Sequence, residues 1–127
     1  MRVLLDTCTF LWLCEDSPSL SPTARHLILS CAELYLSPVS AWEIAVKNRI
    51  GRLPLPEDPA TWVPRMRKAH GIDPLPLTED AALCLLKLPD HHKDPFDRML
   101  TAQALHEGLV ILTPDPLIRA YPVRTEW

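Results

Sequence analysis

A single three-layer α/β/α domain with a central, mainly parallel sheet is the fold class this sequence predicts. Short apolar runs of strand length alternate with longer segments of helical spacing from one end of the chain to the other. Fourteen prolines and three glycines punctuate that alternation, mostly where helices start and end. No internal repeat, low-complexity run or interdomain linker divides residues 1–127, so one domain is expected, with right-handed crossovers between its parallel strands.

Met1 to Leu5 is a continuous apolar run ended by Asp6-Thr7, as expected of a short buried strand, and Phe10 to Cys14 opens a first helix. Ser21-Pro22 is a cap with proline at the first helical position, leading to Leu27, Ile28 and Cys31. Leu34 to Leu36 reads as the second strand. Ser40 then caps a helix carrying Ile44, Ala45 and Ile50 on one side until Gly51 stops it. Leu53 to Pro59, with three prolines, is an exposed connector. Asp58-Pro59 starts a helix through Trp62, Val63 and Met66 that ends near Gly71, and a strand from Ile72 to Leu75 follows. Thr78 caps a helix through Ala82, Leu85 and Leu86 that stops before Pro89. The last third holds a helix from Pro95 to about Glu107, Gly108, a strand from Leu109 to Leu112, a short Pro116-led helix and a small strand from Val123.

Composition narrows the function classes. A chain of 127 residues with 47% hydrophobic and 23% charged residues is ordinary for a globular domain and can bury a core of its own. Its apolar runs are too short to span a bilayer, and Asp6 interrupts the first before a signal-peptide core can form, so a cytoplasmic protein is the expectation. A net charge of −3 excludes nucleic-acid binding through gross basic excess, so any such contact is local. Cys8, Cys14, Cys31 and Cys84 lack the spacing of a zinc site or a redox pair and read as small buried apolar residues.

The acids carry the chemistry. In open α/β sheets, ligands bind beyond the carboxyl ends of the strands. Asp6 and Asp115 follow strands directly, while Glu43 and Asp97 fall in first helical turns, so all four can share one edge. Carboxylates packed that closely repel unless a cation neutralises them, and an all-oxygen donor set suits Mg2+ or Mn2+. Phosphodiester hydrolysis is the chemistry that needs such a cluster, because bound metal activates water and offsets charge developing on phosphate oxygens. Each acid also has a plain helix-starting role. Asp94-Pro95 and Asp115-Pro116 are cap-and-proline pairs, and Ser40-x-x-Glu43 matches a capping box. Asp6 fits capping least, since Thr7-Cys8-Thr9 is a poor helix start. With Asp94 as cap, Asp97 is the third helical residue and is free to point past the helix end, so Asp97 is the expected ligand and Asp94 its supporting cap. Leu100, Ala102 and Ala104 then lie where this helix approaches the sheet.

Four segments, Leu4-Leu5-Asp6-Thr7, Ser40-Ala41-Trp42-Glu43-Ile44-Ala45-Val46-Lys47, Asp94-Pro95-Phe96-Asp97-Arg98-Met99-Leu100-Thr101-Ala102-Gln103-Ala104 and Leu112-Thr113-Pro114-Asp115, resemble in order and spacing the PIN-domain nucleases, and within them the VapC-like toxins of type II toxin-antitoxin pairs. The resemblance implies a Mg2+- or Mn2+-dependent endoribonuclease with Asp6, Glu43, Asp97 and Asp115 as its acidic quartet. It also implies a homodimer, an RNA substrate, and a cognate VapB-like antitoxin whose C-terminal segment blocks the active-site groove. Pro114 stands where that family more often has a small residue.

Lys47 and Arg98, a turn or less from the acids, are candidate phosphate contacts, with surface ion pairing as the alternative. His91-His92, in a polar turn after Pro89-Asp90, read as exposed loop histidines, and Trp12 and Trp42 as core or dimer-surface residues. A dehalogenase-like phosphatase would want a second aspartate where Cys8 stands, and a response-receiver module would want an acidic doublet after the first strand. The remaining alternatives are a catalytically idle PIN-like domain that binds RNA or a partner, and a non-toxin RNA-processing nuclease.

Overall fold

The computed structural model describes all 127 residues. Five parallel strands form one sheet in the order β3-β2-β1-β4-β5: β1 is Arg2–Leu5, β2 Glu33–Leu36, β3 Asp73–Pro74, β4 Val110–Leu112 and β5 Thr125–Glu126. Helices α1 (Thr7–Glu15), α2 (Pro22–Ser30), α3 (Pro38–Arg49), α4 (Pro59–Ala69), α5 (Glu79–Leu83), α6 (Pro95–Glu107) and α7 (Pro116–Arg119) connect them, with a 3-10 turn at Cys84–Lys87 after α5.

Alternation along the buried strands sorts side chains onto two faces. Val3, Leu5, Leu34, Leu36 and Leu112 meet Phe10, Ala24, Ile44, Trp62 and Val63 from the first four helices, and Leu20 from the loop between the first two. Leu4 and Ile111 point the other way, into a cluster with Val39, Leu100, Ala104 and Ile118. Phe10 and Trp62 meet edge to face at 6.1 Å, which ties α1 to α4. The connector before α4 is anchored, because Leu53 and Leu55 pack on the first cluster.

The three-layer parallel architecture is as expected, while several boundaries move. Ser37 caps α3 through the Val39 N–H, with Pro38 at the first helical position. Ser40 is therefore a fully buried helical residue, and Glu43 lies beyond the first turn rather than in a capping box. Helix α1 starts at Thr7, because Asp6 does cap it, accepting from the Thr9 N–H at 2.8 Å. Ile50 is 60% exposed rather than part of the apolar face, β3 and β5 shrink to two residues each, and α5 tightens into the 3-10 turn. In α6, Leu100 and Ala104 do face the sheet, but Ala102 packs against Cys84, Leu88 and Tyr121. Gly108 ends α6 at φ 69°, where a side chain would strain the backbone.

Leu100 is fully buried where α6 crosses the sheet. Leu100→Ala is expected to lower the unfolding free energy by about 2–5 kcal/mol, read as a fall in the urea midpoint at unchanged slope. A midpoint equal to that of the native chain would contradict this packing.

Candidate functional site

Strand order places the cleft. The chain runs from β1 outward to β2 and β3, then returns to lay β4 and β5 on the other side of β1, so the switch point lies between β1 and β4. Register aligns Leu5 with Leu112. The next residues, Asp6 and Thr113, therefore leave the sheet side by side. Asp6, Thr7, Cys8, Trp12, Glu43, Lys47, Asp94, Asp97, Pro114, Asp115 and Pro116 line a cleft of about 420 Å³ at this edge. All four expected acids, and Asp94 with them, are thus brought together.

Each carboxylate but one is held by donors. Asp6, buried, accepts from the Thr9 N–H through Oδ1 at 2.8 Å and from the Thr113 hydroxyl through Oδ2 at 2.5 Å. The Thr113 hydroxyl also accepts from the Asp115 N–H at 3.1 Å, which links the loops after β1 and β4. Glu43, buried, accepts from the Thr7 hydroxyl at 2.6 Å and pairs with Lys47 one turn along α3. Ser40 Oγ lies 3.0 Å from the same Thr7 hydroxyl. Asp115 caps α7 through the Leu117 N–H at 2.9 Å. Asp94 caps α6 by accepting from the N–H groups of Phe96 and Asp97, as expected, which presents Asp97 in the first turn. The Asp97 side chain, only 19% exposed, has no donor within hydrogen-bond range. His92 Nε2 stands 4.0 Å from its Oδ2.

Electrostatics follow from this distribution. Burial first, then the charges of Asp94, Glu43, Asp6 and Asp115, push the Asp97 carboxyl up to about 7. Burial also raises Asp6, against the opposing pull of its Thr113 and Thr9 hydrogen bonds. Cys8 is pushed up to about 11, by burial and then by Asp6, Glu43 and Asp97, so its thiol is no nucleophile at neutral pH. The Lys47 ammonium is raised chiefly by its hydrogen bond to Glu43.

The donor set fits a hard divalent cation by chemistry, since carboxylate oxygens from several acids face the cleft and a cation would relieve their mutual repulsion. As the side chains stand, no three His, Cys, Asp or Glu groups converge closely enough to share one ion, so a full shell requires side-chain adjustment.

Some residues fall elsewhere than expected. Arg98 does not line the cleft. It donates to the Pro89 carbonyl at 2.9 Å and the Tyr121 hydroxyl at 3.0 Å, and so braces the loop before α6. Of the two proposed phosphate contacts, Lys47 alone faces the acids. The His92 side chain is 8% exposed rather than solvated, packed edge to face on Tyr121. Trp12 packs on the first core cluster and Trp42 lies on the surface, within the core-or-surface expectation, while Trp12 also lines the cleft and meets Trp127 at a tilt of 59°, and Trp42 is 57% exposed against Phe96. Thr7 and Thr113 support the acids without having been given a role beforehand, and Ser40, expected as a cap, lies against the Thr7 hydroxyl instead. The one signal for Thr7 and Thr113 was a hydroxyl beside or near an acid just past a strand.

A parallel sheet with acids gathered at its switch point defines the class, and the chain belongs to the PIN domain family, whose model matches residues 3–123. It is 27% identical over 120 residues to Ribonuclease VapC22 of Mycobacterium tuberculosis, covering 94% of this chain and 91% of that relative. A 42-residue segment is 48% identical to Ribonuclease VapC16 of the same organism, covering 33% of this chain and 30% of that one. Among solved structures, VapBC2 from Rickettsia felis bound to a promoter DNA fragment shares the fold, with a TM-score of 0.75 at 12% identity over 100% of this chain and 99% of that chain. No helix is long and apolar enough to cross a membrane.

Two expectations follow. Thr113→Val leaves a buried Asp6 oxygen without its donor and should cost about 1–3 kcal/mol in denaturant unfolding; an unchanged midpoint would show that the bond is immaterial. In metal-free buffer the raised Asp97 carboxyl binds its proton in the folded chain at a pH where the unfolded chain, with a value of 3.8, has lost it. Stability must therefore fall as pH rises from about 4 to about 7. Asp97→Asn should flatten that fall and leave the variant more stable above pH 7 by on the order of 2–4 kcal/mol, measured by thermal melts with chelator present.

Proposed function

We propose that this chain is a Mg2+- or Mn2+-dependent endoribonuclease that acts as the toxin of a type II toxin-antitoxin pair in the cytoplasm. The observation that carries this reading is the convergence of Asp6, Glu43, Asp97 and Asp115 on one cleft, with the Asp97 carboxylate lacking any hydrogen-bond donor. Full-length similarity to a protein named as a VapC ribonuclease supports the reaction class.

In this reading Asp6 and Asp97 hold a divalent cation, and Glu43 and Asp115 complete its shell or hold a second. The cation supplies charge stabilisation at the phosphate and lowers the pKa of a water. Thr113 and Thr9 keep the Asp6 carboxylate fixed in orientation, and Thr7 does the same for Glu43. Lys47, 43% exposed, offers its ammonium to an RNA phosphate at the cleft mouth. An acid outside the cation's shell orients the attacking water or takes its proton.

The partners belong to the same proposal. The solved VapBC complexes that share this fold support a VapB-like antitoxin that closes the cleft. A homodimer is supported by the exposed apolar side chains Trp42, Leu83 and Leu86.

Cleavage of total RNA in Mg2+ is expected from the native chain, with loss in chelator and a fall on the order of 100-fold or more in Asp97→Asn. Equal activity in both proteins would refute the site. Binding of RNA without cleavage under Mn2+ would favour an idle PIN-like domain.

A further inference from the structure

His92 sits outside the acidic quartet, in the loop between the 3-10 turn and α6. Two contacts fix its ring and a third holds its backbone. The Asp94 N–H donates to His92 Nδ1 at 3.3 Å. The His92 backbone N–H donates to the Tyr121 hydroxyl at 3.4 Å. The ring itself stands at 88° to that of Tyr121, with centroids 5.6 Å apart. Arg98 donates to the same Tyr121 hydroxyl at 3.0 Å.

The first contact decides the tautomer. A ring nitrogen that accepts a hydrogen bond carries no proton, so a neutral imidazole with Nδ1 as acceptor carries its proton on Nε2. That Nε2–H is buried and has no hydrogen-bond partner, an arrangement rare in folded proteins. It lies 4.0 Å from Oδ2 of Asp97, the acid of the cleft to which nothing else donates. An orphan donor and an undonated carboxylate thus stand next to each other, each lacking what the other offers.

We propose that His92 is a positioning residue for Asp97, its neutral Nε2–H holding Oδ2 and leaving the other carboxylate oxygen to the cleft. Hydrogen bonds of this kind behind a metal-binding carboxylate fix its orientation, and their loss weakens metal affinity. Tyr121 and Arg98 then have a function beyond folding, since they set the ring that sets the acid. This inference rests on the divalent-cation reading above.

The test is Mn2+ affinity, followed by the paramagnetic signal of free Mn2+ without any RNA present. His92→Leu is expected to weaken binding by about 10-fold or more, and His92→Gln, which keeps a donor near the Nε2 position, to stay within about 3-fold of native. Equal affinity in His92→Leu, or equal loss in both variants, would overturn the proposal while leaving the cation site standing. Absence of Mn2+ binding by the native chain would overturn both readings. Nitrogen-15 spectra of the native protein provide a second arm that needs no variant: a proton on Nε2 and none on Nδ1 is expected, and the opposite tautomer would overturn the assignment.

Discussion

Asp6 is a carboxylate taken almost wholly out of water at the end of the central strand, and it is kept ionisable by two hydrogen bonds, from the Thr9 N–H and the Thr113 hydroxyl. Both donors depend on the sheet. Thr113 is beside Asp6 because β1 and β4 are paired in parallel with Leu5 opposite Leu112, and the Thr9 hydroxyl donates to the Leu112 carbonyl across the same seam. A register slip of one residue would turn every core side chain of the strand to the other face and remove the donor in the same step. The hydrophobic core and the candidate site are therefore enforced by one pairing.

Donors are distributed unevenly over the acids. Asp6, Glu43, Asp94 and Asp115 each have hydrogen-bond partners in the chain, and three of them cap helices. Capping and charge clustering coexist here rather than compete, because a helix N-terminus favours the carboxylate that it also fixes in place. Asp97 lacks such compensation, and burial together with the charges of the neighbouring acids opposes its ionisation. A site that accumulates uncompensated negative charge at one point is suited to a cation at that point.

Tyr121 connects the far end of the chain to this arrangement. It is buried against Ala102, Cys84 and Leu88, and its hydroxyl meets Arg98 and the His92 backbone. The loop before α6 is thereby held from behind, and the start of α6, with Asp94 and Asp97, is held with it. An aromatic residue outside the lining of the cleft thus braces the loop that leads into that helix.

Local chemistry made much of this readable from the chain. Asp94-Pro95, Ser21-Pro22, Asp58-Pro59 and Asp115-Pro116 start helices where the sequence says they do, since a cap and a proline act within one turn. Alternating strands and helices fixed the fold class for the same reason. Local signals also misled where two were available: Ser37-Pro38 outcompetes Ser40 as the start of α3, because the proline preorganises the first helical residue. Asp6 caps α1 although the residues after it are weak helix formers, because buried packing of Phe10 outweighs their propensity. Burial and pairing across the fold were beyond the sequence. His92 looked solvated until Tyr121, 29 positions away, covered it. Arg98 looked free to bind phosphate until Pro89 and Tyr121 claimed its guanidinium. Residue types and caps are set by neighbours along the chain, whereas which donors reach which acids is set by strand register and helix packing, and only the folded chain supplies those.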